Sequence, residues 1–151
     1  MVFIRKLMLS IEKKVFSLKT EFLRYLLIAE VALILIQAII GMYVNLYVIV
    51  PFPINFTAFV FSLQGAVFGF HHLFAILVLL FAAVILIFSF RINSPSLIKT
   101  SILGLVLLAV SYVGGTAFVF LQPNSFYSLI MAATAIAALV VYTSEIFSAR
   151  A

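Results

Sequence analysis

Four stretches of this chain, residues 26–50, 65–90, 102–120 and 126–147, are apolar over a length that only a lipid bilayer solvates. A hydrocarbon core about 30 Å thick is crossed by about 20 consecutive apolar helical residues, and in lipid the backbone polar groups must be satisfied within the spanning element itself. Pro51 and Pro53 close the first stretch, Arg91, Asn93, Ser94, Pro95 and Lys99 make a polar turn after the second, and Gln122, Pro123 and Asn124 separate the last two. The apolar run over 56–90 is too long for one perpendicular helix at about 1.5 Å per residue, so the part before Gly65 is assigned to an interfacial or re-entrant segment. The predicted fold is all-α: an integral membrane four-helix up-down bundle over residues 22–151, preceded by an N-terminal amphipathic interfacial helix over residues 1–21.

Composition supports lipid as the solvent, since 67% of the 151 residues are hydrophobic and 9% are charged, too few to cover a water-facing surface. The absence of cysteine excludes disulfides, thiolate metal sites, iron–sulfur clusters and c-type haem attachment. In the arm, Ile4, Leu7, Met8, Ile11, Val15, Leu18 and Phe22 recur at steps of three and four, with Lys6, Lys13, Lys14 and Lys19 mostly elsewhere on the wheel. This is the pattern of a helix lying on an anionic leaflet. No small-residue cleavage site follows, so the arm is expected to stay on the protein.

The net charge of +5 reports topology rather than a nucleic-acid partner, because the basic residues flank apolar runs. All nine Lys and Arg lie in the N-terminal arm, the turn after the second span, or the C-terminus, whereas the other two connections carry no charge. The positive-inside rule therefore predicts a multi-pass protein of the cell membrane with both termini cytoplasmic. Glu30 and Glu145 fall near the inner ends of spans one and four. Interfacial pairing with Arg24 or Arg150 is expected there, with a buried proton-relay carboxylate as the alternative.

The only histidines are His71 and His72. Counting outward from Phe90 at about 1.5 Å per residue places His71 about 28 Å from the inner end, near the outer interface. Adjacent helical residues point about 100° apart, so the pair cannot face one ligand together. Neutral imidazole is a common ligand of haem iron, and a four-helix bundle accommodates a porphyrin between facing helices. Equal counting puts Asn45, Ala117 and Ser128 level with His71, with Gly41, Gly114 and Gly115 close by. Such glycines either admit a flat macrocycle or allow tight helix packing. Met42 and Met131 are thioether candidates or simple filler.

The segment QAIIGMYVNL (residues 37–46), the uncharged loop after it, and HHLFA (residues 71–75) opening a long aliphatic helix together resemble one half of a haem A synthase. The resemblance covers residues 34–142 and implies a four-helix haem-binding unit with His71 as iron ligand and His72, Met131, Gly41 and Gly115 around it. An internal echo pairs residues 111–115 with 37–41, and SLIMA (residues 128–132) with HHLFA. The chain departs from the family pattern at two positions. Ser128 stands where a second axial histidine is expected, and Phe68 where an acid precedes the first. Bis-histidine ligation from facing helices of one chain is thereby excluded, and a second ligand would be Met131, water, or His71 of a second copy.

Two functions follow as expectations. One is a haem-binding membrane protein acting in electron transfer or haem handling for a respiratory chain. The other is a cofactor-free accessory or scaffold subunit of a larger oxidase-type complex, in contact with the bilayer and with other membrane subunits or a homodimer partner, where His71 only bonds across helices. A transporter has little support, since no charge falls near the expected midplane and no helix is interrupted there. No nucleophile triad, phosphate loop or catalytic carboxylate pair is present, so any catalysis would be borrowed from a cofactor.

Overall fold

A computed structural model describes residues 2–49, 59, 61–121 and 125–148, with side chains over 2–19 described only at Met8 and Leu18. The described chain is all-helical: α1 (Val2–Tyr47), α2 (Leu63–Ile92), α3 (Pro95–Phe120) and α4 (Ser125–Ser148). Each contains a segment long and apolar enough to cross a membrane, Thr20–Tyr47 in the case of α1.

The arm expected over 1–21 is not set off from the first span, because helical structure runs unbroken through both and stops at Tyr47, before Pro51. The amphipathic face expected there rests mostly on side chains outside the described residues, as does the segment before Gly65. Within that segment Phe59 is buried, and Ser62 caps α2 by accepting the Gly65 N–H at 3.0 Å, satisfying one orphan donor of the first turn. At the other end Asn93 adopts a left-handed conformation (φ 58°, ψ 38°) and returns its N–H to Phe90 and Ser89 carbonyls. Pro95 then opens α3, where its fixed φ suits the first helical turn. The resulting two-residue link holds α2 and α3 antiparallel.

Adjacent helices pack in a closed ring, α1 on α2, α2 on α3, α3 on α4 and α4 on α1, and the diagonal pairs make no close approach among the described residues. The inward stripes step by three and four: Leu23, Leu27, Glu30 and Ile34 on α1; Val78, Ala82, Ile85 and Ser89 on α2; Leu97, Ser101, Gly104 and Leu108 on α3; Ala138, Tyr142 and Glu145 on α4. This is the spacing of near-parallel helix packing, in which one face turns steadily to the neighbours. Large apolar side chains such as Ile39, Leu73, Leu80, Val113 and Ile136 point outward and stay exposed, as lipid contact requires.

Candidate functional site

Two polar layers lie inside the ring. The upper one is built on the consecutive histidines, which α2 turns toward different neighbours. His71 faces α1. The Gln37 side-chain amide lies with Nε2 at 3.1 Å from His71 Nδ1 and donates to the His71 backbone carbonyl at 3.2 Å. The ring itself covers Gly41, where a Cβ would stand 2.9 Å from His71 Cε1. His72 faces α3, with its Nε2 at 2.8 Å from the Tyr112 hydroxyl and its ring stacked at 6.3 Å on Phe68. Across the bundle, Ser111 donates to the Met131 carbonyl at 2.9 Å, and the Met131 sulfur sits 3.1 Å from where a Gly115 Cβ would be.

Equal counting puts Gly41 close to His71 and Asn45 level with it. Gln37 and Gly41, not Asn45, meet His71, and Asn45 is exposed. Equal counting assumes that antiparallel neighbours end in one plane, whereas side-chain interlock along the α1–α2 seam sets their offset. His71 and Gly41 do come together, and Met131 and Gly115 do, but they do so along different seams. Gly114 serves close helix packing, since a Cβ there would meet the Met131 backbone nitrogen at 3.3 Å and the Tyr127 carbonyl at 3.4 Å.

The fit of a haem can be judged from these contacts. The spaces over Gly41 and Gly115 that would admit a macrocycle are filled by the His71 ring and the Met131 thioether. His71 Nδ1 accepts from Gln37, which leaves the ring proton of a neutral imidazole on Nε2 and no free lone pair for a metal. As packed, these residues do not fit a haem held between the helices. One atom points the other way: Gln37 Oε1 is buried with no hydrogen-bond partner among the described residues. A half-turn of that amide would let Oε1 accept Nδ1–H and release Nε2 as a ligand.

The lower layer surrounds Glu30. Its expected pairing with Arg24 is not formed: both Glu30 oxygens and Arg24 Nε are buried without hydrogen-bond partners among the described residues. Glu30 is 0% exposed, because the three- and four-residue stripe of α1 carries it into the ring. On α4, Tyr142 is also 0% exposed, belongs to the same buried core as Leu23, Leu27 and Ile34 of α1, and its hydroxyl has no hydrogen-bond partner among the described residues. Nearer the α2–α3 turn, Thr100 donates to Glu145 at 2.8 Å, while Arg150 lies outside the described residues. Ser89 and Ser101 hydrogen-bond each other at 2.7 Å.

Tyr112, Tyr142 and Gly104 carry no motif and escaped notice in the sequence. A usable signal existed on α1, where Glu30, Gln37 and Gly41 follow at steps of seven and four and so share a face.

No protein-family model matches this chain, and no curated protein or solved structure shows significant similarity to it.

Proposed function

We propose that the chain is a cofactor-free accessory subunit of a larger membrane complex of the respiratory oxidase type, inserted in the bilayer with both termini cytoplasmic. The observation that carries this reading is the use of both histidines in cross-helix contacts, His71 with Gln37 and His72 with Tyr112. Polar side chains in spanning helices commonly serve to hold helices together. With both histidines occupied, a ring of exposed Leu, Ile, Val and Phe remains for lipid and for neighbouring subunits or a second copy. The respiratory assignment comes from the resemblance of residues 34–142 to half of a haem A synthase.

A haem-binding role is the second reading, favoured by the unpartnered Gln37 Oε1 beside His71. It requires the amide to turn and the His71 ring to leave Gly41. An absorption spectrum of gently purified native protein, oxidised and reduced, with mass spectrometry of co-purifying chains, separates the two. A colourless sample carrying oxidase or dehydrogenase subunits in fixed ratio is the expected result. A Soret band that disappears in His71→Ala would overturn it in favour of haem, and a colourless protein with no co-purifying subunit would reject both.

A further inference from the structure

We propose that Glu30 and the Tyr142 hydroxyl together form a proton-binding site inside the helix bundle. Glu30 begins ten residues beyond Thr20, the first residue of its candidate span, which is about 15 Å along the helix axis. It has no exposed surface, and the buried core it shares holds Leu23, Leu27 and Ile34 on its own helix, with Ala82 on α2 and Ala138 on α4. An ionised carboxylate without partners in such surroundings costs several kcal/mol, so a stable core must supply it with a cation, a metal or a proton.

The first two are not provided. Arg24, six residues away on the same helix, makes no bond to Glu30, and the buried residues of α2 and α3, among them Val78, Ala82, Gly104 and Leu108, include no titratable side chain. Arg91 and Lys99 stand at the α2–α3 turn and are exposed. A hard metal ion takes about six or more oxygen ligands, and no group of three or more His, Cys, Asp or Glu exists among the described residues. From α4 the facing groups are Tyr142 and, one turn nearer the α2–α3 turn, Glu145, which is bonded to Thr100.

A proton satisfies what remains. Two buried orphans, a carboxyl on α1 and a phenol on α4, face the one core where these helices pack on each other, and a proton on the carboxyl removes the charge that this core does not solvate and leaves a group able both to donate and to accept toward a phenol. The seat is built for it, because Gly104 lacks the Cβ that would strike the Tyr142 ring, with its hydroxyl oxygen only 2.7 Å away. Polar pairs continue toward the α2–α3 turn through Thr100–Glu145 and Ser89–Ser101. In the opposite direction the next polar residue on the inward stripe of α1 is Gln37, seven residues or about 10.5 Å farther, beyond Ile34.

The test is infrared spectroscopy of the full-length protein in lipid nanodiscs at neutral pH, in H2O and D2O, with and without 13C label at the glutamate side-chain carboxyls. The expected result is a protonated-carboxyl carbonyl band that moves with the label and with deuterium, disappears in Glu30→Gln and shifts in Tyr142→Phe. The labelled wild type reports whether a neutral glutamic acid exists without reliance on any variant's folding. Absence of a label-sensitive band, or its persistence in a folded Glu30→Gln protein, overturns the proposal. An unshifted band in Tyr142→Phe removes Tyr142 from the site and overturns it as stated.

Discussion

At the residue scale, the glycines separate those that hold the bundle together from those that merely occupy a helix. A Cβ at Gly104 would collide with the Tyr142 ring, whereas one at Gly69 meets nothing within 4 Å. Gly104→Ala is therefore expected to destabilise the protein by about 1–3 kcal/mol, the usual range for forcing extra volume into a packed core. Gly69→Ala is expected to be neutral or to stabilise by up to about 1 kcal/mol through helix propensity. Unfolding of both variants in mixed micelles by a denaturing detergent checks the contrast, and equal losses would contradict it. Polar residues are harder to interpret singly. Glu30 lies only six positions from Arg24 in sequence, and that proximity suggests a pair at the interface. The two side chains nevertheless stay unpaired, because helical rotation sends Glu30 into the core.

At the element scale, each helix is apolar enough to sit in lipid on any face, so its orientation is set by a few small or polar residues. The α3–α4 seam shows this best, since at Gly114 the α4 backbone itself lies within 3.4 Å of the missing Cβ. Backbone cannot yield as a flexible side chain does. Gly114→Leu is thus expected to part α3 from α4, break the Ser111 bond to the Met131 carbonyl, and make the α4 amides exchange with solvent deuterium faster than those of α2. Unchanged exchange along α4 would argue against close packing at this seam. The spans were legible at this scale, with ends that shifted where local chemistry intervened. The third span, predicted from residue 102, starts at Pro95, because proline at the first helical position and a two-residue link let the polar turn join the helix.

At the scale of the whole molecule, four apolar helices in a closed ring with an apolar exterior call for a bilayer, and the charge distribution predicts which way they cross it. The chain has no cysteine, so single substitutions report cleanly on sidedness. Asn93→Cys, in the α2–α3 turn, is expected to react with a membrane-impermeant maleimide only after the cytoplasmic face is opened, and Ser125→Cys from outside in intact cells. The reverse pattern would invert the topology. What the sequence alone determined is one-dimensional: the number of spans, their approximate limits and the expected sidedness. These depend on run length against hydrocarbon thickness and on where Lys and Arg fall. Only the tertiary structure decided that His71 meets Gln37 and Gly41, that His72 meets Tyr112, and that Glu30 and Tyr142 are both sealed in the core. Those pairings depend on the rotation and axial offset of each helix against its neighbour, and a nearly uniform apolar surface encodes neither until the side chains interlock.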